Sequence, residues 1–283
     1  MKIKEHFHHG PVQGFRLGYS PVRWIAPFSV CMYYLDGLLV DTAQRHMQPE
    51  VLDFLRPLPV QQIVLTHYHE DHSGNADFLR KQFQVPLYAS QLTAERVAHS
   101  FPILPYEHFW FGQIEPCSDV LPLPAQIHTE HYQFQCMHTP GHSDDHHILY
   151  APKEGWIFSG DFYIGKLKIF RRGENIRQHM QSARLVLNLD FDTLFCGHNP
   201  VFKGGKSALQ AKLTYLETIY GKVEDLYRQG KPEGTIQKEL QMKETILVKF
   251  LTFQDASVRN IIRSVIENIQ IDEQNKTSVA KVN

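Results

Sequence analysis

The nine-residue stretch THYHEDHSG, at positions 66–74, decides the fold of this chain. It contains His67, His69 and His72 within six positions, and Asp71 stands directly before the last of them. A short apolar run precedes the stretch and predicts a buried strand that leads into it. Alternate residues of an extended chain point to the same side, so His67 and His69 can reach one ion. Asp71 and His72 follow at a turn, where the chain can direct them to a second ion.

Three later fragments each end a strand-like run with a candidate ligand next to glycine. They are Thr139-Pro140-Gly141-His142, Ser159-Gly160-Asp161 and Cys196-Gly197-His198. Glycine permits close backbone approach, as expected where strands end over a crowded site. Imidazole and carboxylate groups together are ligands that zinc, iron and manganese accept. The four segments therefore predict one shared metal site. Its candidate ligands are His67, His69, Asp71, His72, His142, Asp161 and His198.

The order of these motifs resembles the metallo-β-lactamase superfamily, and the resemblance covers about residues 15–205. It implies an α/β fold of the αββα sandwich type, with the site at one edge of the two sheets. The implied first metal site is His67, His69 and His142, and the second is Asp71, His72 and His198, with Asp161 as the bridge. Zinc is the expected ion at both positions, with iron and manganese as alternatives. Asp41 matches an early position of the family and is expected to support the ligands from behind.

The resemblance also implies a binuclear metallo-hydrolase. A hydroxide that bridges two divalent metals would be the nucleophile, because a bound metal lowers the pKa of water. Asp71 is the expected catalytic residue, which orients the nucleophile and passes its proton to the leaving group. A carboxylate bridge such as Asp161 is similar to the branches that hydrolyse thioesters, lactones and phosphodiesters. Many true β-lactamases place a sulfur or a histidine near the second metal, so penicillin hydrolysis is not expected.

Two hydrolytic functions and one oxidative function stay open. The preferred interpretation is hydrolysis of a small thioester, ester or lactone, which resembles glyoxalase II. The alternative is a phosphodiesterase or endoribonuclease acting on single-stranded nucleic acid, because residues 139–161 and the C-terminal helices look like the small lactamase-like endoribonucleases. Candidate substrate-side cations are Lys166, Lys168, Arg171 and Arg172, unless they form a solvated loop. A persulfide dioxygenase with one iron is the third function, and the full ligand set argues against it.

The remaining sequence predicts a layered α/β domain followed by helices. β-type residues on both sides of Asp36-Gly37 predict a hairpin. The aromatic segment 91–124 is expected to be a loop with one helical turn, which packs its own aromatics or forms a wall of the substrate pocket. Apolar residues at helical spacing begin after 206. The expected organisation is a catalytic domain at 1–206, a helical extension at 207–270 and a polar tail at 271–283, frayed from Gln274.

Other residues near the motifs receive smaller roles. His146 is expected to support a ligand or contact substrate, and His138 and His147 to be structural. Ser73 is expected to be a turn residue or the cap of the helix that follows. The N-terminal cluster of His6, His8 and His9 is more typical of a solvated chain end than of a site.

Composition sets the expected partners and location. A formal net charge of -1 gives no support for broad attraction to nucleic acid or to an anionic membrane. The four cysteines are spread singly, without a CxxC pair, which favours a reduced cytosolic protein. No signal-like apolar run occurs at the N-terminus, and no stretch reaches the roughly 18 apolar residues of a membrane helix. We expect a cytoplasmic protein with a small-molecule substrate and no membrane partner, whose helical extension could support a homodimer.

Overall fold

The computed structural model describes residues 1–23, 25, 28–99, 103–165, 169–244 and 246–280. The chain forms two compact units. The first unit comprises Met1–Thr139, Asp144–Ile164 and Leu189–Lys206. The second unit comprises Pro140–Ser143, Gly165–Asn188 and Ser207–Asn283.

The first unit contains two β-sheets. The seven-stranded sheet follows chain order: β1 (Lys2–His9), β2 (Val12–Tyr19), β3 (Phe28–Leu35), β4 (Leu38–Val40), β5 (Gln62–Val64), β6 (Leu87–Ala89) and β7 (Leu121–Pro122). β1 to β4 pair antiparallel, and β4 to β7 pair parallel. The five-stranded sheet contains β8 (Gln126–His128), β9 (Gln133–His138), β10 (His147–Ala151), β11 (Trp156–Gly160) and β12 (Thr193–Cys196). Its order is β12-β11-β10-β9-β8, and only the β11–β12 pair is parallel among these described strands.

The predicted hairpin is confirmed at β3 and β4. Asp36 and Gly37 form its two-residue turn, with φ angles of 48° and 86°. Left-handed backbone at both turn positions matches the twist of the flanking strands, and Asp-Gly adopts it at low cost. Leu35 pairs with Leu38 across the turn.

The inner faces of the two sheets share one apolar core. Tyr33 of the first sheet lies 5.7 Å from Phe158 and 5.3 Å from Phe195 of the second, measured between ring centroids. The outer face of the first sheet is covered by α1 (Gln48–Leu55) and α3 (Ala76–Phe83), whose Leu55 and Leu79 are fully buried. Burial of a side chain of this size stabilises the fold by about 1.5–3 kcal/mol. The strands that lead into the predicted ligand segments, β5, β11 and β12, belong to these two packed sheets.

Two stretches of the first unit differ from the sequence predictions. The N-terminus forms a paired strand, because Ile3 and Phe7 alternate with polar residues along β1. His6 and His8 are exposed on this strand, in agreement with the solvated position expected of them. The segment 91–124 contains two helices, α4 (Gln91–Val97) and α5 (Pro105–Trp110), in place of one helical turn. Ser90 caps α4 by accepting a hydrogen bond from Thr93 N at 3.1 Å.

The second unit is built from helices. They are α6 (Ile176–Leu187), α7 (Gly205–Arg228), which starts two residues before the unit boundary, α8 (Glu233–Glu239), α9 (Ile246–Leu251) and α10 (Val258–Ala280). α10 buries Ile261, Ile262 and Val265. It continues to Ala280, so the fraying expected from Gln274 is absent up to that residue. Residues 281–283 lie outside the described part. None of the helices described is both long enough and apolar enough to span a membrane.

Candidate metal centre

The motif loop, residues 66–74, follows β5 and contains the short helix α2 (Glu70–Ser73). His67 and His72 are fully buried, and His69 and Asp71 are each 5% exposed. Four polar side chains would destabilise an apolar interior unless they had partners. Their burial together therefore indicates a site in which each has a defined contact.

The ligand atoms of the first unit converge. His67 Nε2 lies 3.0 Å from His69 Nδ1. Asp161 stands between two histidines, with Oδ1 3.2 Å from His72 Nε2 and Oδ2 3.2 Å from His198 Nε2. Asp71 Oδ2 is 3.4 Å from His198 Nε2 and 3.9 Å from His72 Nε2. The ligand atoms of His67, His72 and Asp161 lie within 4.8 Å of one another, as do those of Asp71, His72 and His198.

Three of these histidines are oriented through the other ring nitrogen. His72 Nδ1 contacts Asp41 Oδ2 at 2.8 Å, which confirms the support expected from Asp41. Thr66 Oγ1 lies 3.0 Å from His67 Nδ1, and Ser29 O lies 2.7 Å from His198 Nδ1. An imidazole held at Nδ1 keeps its Nε2 lone pair for a metal. The three rings are therefore preset to present Nε2 to the cluster.

Asp41 also fixes the start of the motif loop. Its Oδ1 accepts a hydrogen bond from Thr66 N at 2.8 Å, and its backbone is left-handed with a φ of 62°. Non-glycine residues rarely adopt this conformation, although Asp and Asn tolerate it best. One carboxylate thus positions both the loop entrance and His72.

The site is arranged to hold charge. Burial opposes protonation of His72, but the carboxylates of Asp161 and Asp41 outweigh it and hold its pKa well above the ordinary value. Burial likewise opposes charge on His198, and Asp161 again keeps its pKa well above the ordinary value. For Asp161, burial is outweighed by His198 and His72, which hold the carboxyl pKa well below its usual range. Since ligands bind metal in deprotonated form, a divalent cation would replace these protons, and the donor set fits such an ion.

Two glycines permit the close packing at the strand ends. A Cβ on Gly197 would lie 2.6 Å from both Asp161 Oδ1 and His72 Cε1. A Cβ on Gly160, which has a φ of +44°, would lie 2.6 Å from Thr66 Oγ1. The glycine next to each ligand is therefore a steric requirement, as the sequence predicts.

The histidines near the motifs are structural. His146 is fully buried and its Nε2 accepts a hydrogen bond from Asp161 N at 3.1 Å, so it supports a predicted ligand, as expected. His138 Nε2 lies 2.7 Å from Asp144 O, and His147 Nδ1 lies 2.8 Å from Asp145 O, as expected of structural residues.

Ser73 is not the cap of α3. Its hydroxyl donates to Tyr68 O at 2.6 Å and His69 O at 3.0 Å, so it closes the turn of the motif loop. Asn75 occupies the position before α3, without a side-chain cap. Serine hydroxyls readily donate to nearby backbone carbonyl oxygens, and for Ser73 the nearby carbonyl oxygens belong to the motif loop and not to α3.

Asp145 is a supporting residue that the sequence analysis missed. It is fully buried, and its Oδ2 accepts hydrogen bonds from Tyr68 N at 2.9 Å and Thr93 Oγ1 at 2.7 Å. Arg96 Nη1 lies 3.3 Å from its Oδ1. Tyr68 stands between His67 and His69, so Asp145 holds the backbone between two predicted ligands. The signal in the sequence that could have identified Asp145 is its position three residues after His142, within a motif segment.

His142 belongs to the second unit, and its membership in the metal site stays a prediction. It is 5% exposed, and its Nδ1 lies 3.7 Å from Glu174 Oε1. Burial opposes ionisation of Glu174, but His142 and His179 lower its pKa to about 2. Burial lowers the pKa of His179 to about 4, so this ring is neutral at pH 7. Glu174 and His179 were also missed, because neither lies in a motif.

The role of the four candidate cations stays a prediction. Lys166 and Lys168 lie outside the described residues. Arg171 Nε is 3.1 Å from the buried Asp255 Oδ2, an ion pair within the second unit. Arg172 is exposed.

Comparison with known proteins places the chain in a family. A model of the metallo-β-lactamase superfamily matches residues 32–198. The chain belongs to the metallo-β-lactamase superfamily. The predictions of its fold class and of an enzyme of this superfamily are thereby confirmed.

Individual relatives agree with this membership. The chain is 30% identical over 155 residues to a hydroxyacylglutathione hydrolase of Bdellovibrio bacteriovorus, covering 52% of this chain and 53% of that protein. It is 26% identical over 206 residues to a β-lactamase-like protein 2 homolog of Caenorhabditis elegans, covering 65% and 60%. The chain thus spans little more than half the length of these curated relatives. A metallo-β-lactamase family protein from Thermus thermophilus has a similar fold, with a TM-score of 0.66, 17% identity and coverage of 94% and 95%.

Proposed function

We propose that this chain hydrolyses a small thioester, ester or lactone with the aid of two divalent metal ions. The observation that carries the proposal is the pair of ligand groups in the first unit. Both contain His72, and Asp161 lies 3.2 Å from both His72 and His198. The ligand atoms of His67, His72 and Asp161 lie within 4.8 Å of one another, and His67 and His72 are proposed for different ions, which supports Asp161 as the residue shared by the two ions.

The residues proposed to hold the ions follow from these contacts and from the family resemblance. The first ion would take His67, His69 and His142, and the second Asp71, His72 and His198, with Asp161 shared. Zinc is the proposed ion, because its coordination chemistry accepts both imidazole and carboxylate.

When bound, two such ions supply an activated water and a polarised carbonyl oxygen. The chain's contribution is positioning and proton transfer. Asp71 is buried and its Oδ2 lies 3.4 Å from His198 Nε2, where it can accept a proton from the attacking water. The same carboxyl group would then protonate the leaving group. Asp41 and Asp145 would keep the motif loop fixed during the reaction.

A relative supports the thioester within this class. The Bdellovibrio protein is named for hydrolysis of a hydroxyacylglutathione, which is a thioester. At 30% identity over about half of each chain, this supports the chemistry of the bond more than the identity of the substrate.

One assay panel tests the proposed function. The zinc, manganese and iron forms of the protein would each be assayed with a chromogenic thioester, a lactone, bis(p-nitrophenyl) phosphate and a short single-stranded RNA. The expected result is turnover of the thioester or lactone. Activity on the phosphodiester substrates alone would replace the proposal with the nucleic-acid alternative, and oxygen uptake with one iron would replace it with a dioxygenase.

A further inference from the structure

A buried carboxylate in the second unit lies outside the predicted ligand set. Glu174 is 8% exposed and stands just before α6. Its Oε1 accepts a hydrogen bond from Arg171 N at 2.8 Å, and its Oε2 lies 3.1 Å from His179 Nε2. An ionised carboxylate buried without partners would be strongly destabilising. The side chain is therefore held in one orientation by groups on both of its oxygens.

The same part of the chain holds the His142 loop, residues Pro140–Ser143. Asn175 N donates to Gly141 O at 2.8 Å, and Ser182 Oγ donates to Pro140 O at 2.7 Å. Gly141 has a φ of +143°, and a Cβ there would lie 2.6 Å from His179 N. The loop thus rests directly on α6, and the backbone on either side of His142 has little freedom.

The ring of His142 faces Glu174. Its Nδ1 is 3.7 Å from Glu174 Oε1, which is longer than a hydrogen bond but close enough for the carboxylate's charge to act on the ring. In the motif loop, His72 Nδ1 faces Asp41 Oδ2 at the shorter distance of 2.8 Å, and there too the carboxylate is about 30 residues away in sequence. In both cases an acidic oxygen lies beside Nδ1, which favours the tautomer with its lone pair on Nε2.

We propose that Glu174 is a positioning residue for His142, one that directs Nε2 toward a metal ion, with His179 holding Glu174 in place. This inference rests on the proposed function, since it takes His142 as a metal ligand. Glu174 itself makes no contact with metal or substrate. Its role is to fix the tautomer and direction of the ring and to raise its basicity.

The test is the zinc affinity of the full chain with Glu174→Gln, measured by competition of the metal-free protein with a chromogenic chelator. Glutamine preserves size but removes the charge that orders His142. We expect affinity at one of two sites to fall about 10–100-fold. Thermal unfolding with and without zinc supplies a second readout. Zinc should raise the unfolding midpoint of the variant by less than it raises that of the unchanged protein. This difference should be larger than any fall in midpoint that the substitution causes in the metal-free protein.

Glu244→Gln is the matched control. Glu244 is half-buried in the same unit and accepts a hydrogen bond from Ser257 Oγ at 2.7 Å. The same substitution there should leave zinc affinity unchanged. Glu174→Asp keeps the charge and should lose less affinity than Glu174→Gln, which gives a second variant if the glutamine protein does not fold.

The outcomes separate this inference from the proposed function. If His142→Ala leaves zinc affinity unchanged, His142 is not a ligand and the proposed ligand set is wrong. If His142→Ala lowers affinity and Glu174→Gln does not, only the positioning role is overturned. Equal loss of stability with and without zinc, at unchanged affinity, would likewise make Glu174 a purely structural residue.

Discussion

The motif loop of the first unit and the His142 loop of the second hold buried histidines in different ways. In the motif loop, His72 is supported by Asp41, which also accepts a hydrogen bond from the loop's own Thr66 N. In the His142 loop, the carboxylate comes from Glu174, and Asn175 N and Ser182 Oγ donate hydrogen bonds to the carbonyl oxygens of the loop. Each carboxylate lies about 30 residues from its histidine in sequence, so the two loops differ in the element that supports them. The motif loop is stabilised from the end of a strand in its own sheet, and the His142 loop from the start of a helix.

The largest effect is expected at Asp71, the proposed proton carrier, which has no counterpart in the His142 loop. Asp71→Ala should reduce turnover by about 10²–10⁴-fold in whichever hydrolytic assay is positive, because proton transfer contributes that much. Steady-state kinetics at saturating metal would measure the loss. Asp53→Ala, which removes a carboxylate 71% exposed on α1, should keep full activity. Retained turnover in Asp71→Ala would refute its role.

His198→Ala sharpens the division of ligands between the two ions. The variant should bind one zinc ion nearly as tightly as the unchanged protein and the second much more weakly. The reason is that His198 Nε2 contacts Asp71 and Asp161 but does not belong to the ligand group that contains His69. Stepwise zinc titration followed by calorimetry would resolve the two steps. Equal weakening of both would contradict the proposed partition.

Asp41→Asn compares the support in the motif loop with that in the His142 loop. Asparagine tolerates the left-handed backbone at this position, so the variant removes charge with little strain. Zinc affinity should fall about 10–100-fold, the loss expected for Glu174→Gln. Asp53→Asn, at an aspartate 71% exposed on α1, is the control and should leave affinity unchanged in the chelator assay. An unchanged affinity in Asp41→Asn would mean that His72 orients without it.

The smallest effect concerns the helices behind the His142 loop. Arg177 Nη2 of α6 lies 2.6 Å from Asp272 Oδ2 of α10, and this hydrogen bond lowers the pKa of Asp272. The pair therefore stabilises the protein fully at pH values above about 3.9, the ordinary pKa of aspartate. This stabilisation is lost as the pH falls below that value. Arg177→Met should slightly lower the thermal midpoint at pH 7, and the difference should vanish toward pH 3.

Arg184→Met, on the same helix, is the control for this pH dependence. Arg184 pairs with Glu217 at 2.7 Å, and both side chains are well exposed. Its removal should leave the midpoint nearly unchanged at both pH values, since exposed pairs contribute little. A midpoint difference for Arg177→Met that persisted at pH 3 would show packing, and not charge, as the cause.

Sequence alone could predict what is local. The Asp36-Gly37 turn, the apolar run before His67 and the dense ligand motif each carry their signal in adjacent residues. The contact of Asp41 with His72 was within reach only through the family resemblance. Glu174 and Asp145, the supporting residues that were missed, have no such signal in adjacent residues. Glu174 is brought next to His142 only by the fold. Asp145 follows another aspartate and therefore resembles a surface residue.

Errors in the secondary structure have a similar origin. The alternation of Ile3 and Phe7 in β1 was hidden among histidines and charged residues, and pairing with β2 decides its conformation. Helices α4 and α5 are short and contain aromatic or polar residues of modest propensity, so tertiary packing determines them. Trp110 of α5, for example, packs against Phe28 with ring centroids 5.5 Å apart.

The number of metal ions per chain tests the central claim most directly. The full chain would be stripped of metal, reloaded with zinc, freed of excess and analysed for metal content and protein concentration. The ligand groups of the first unit and His142 predict two zinc ions per chain, with hydrolytic activity that follows occupancy of the second. One ion per chain with full activity, or a single iron with oxygen uptake, would contradict it.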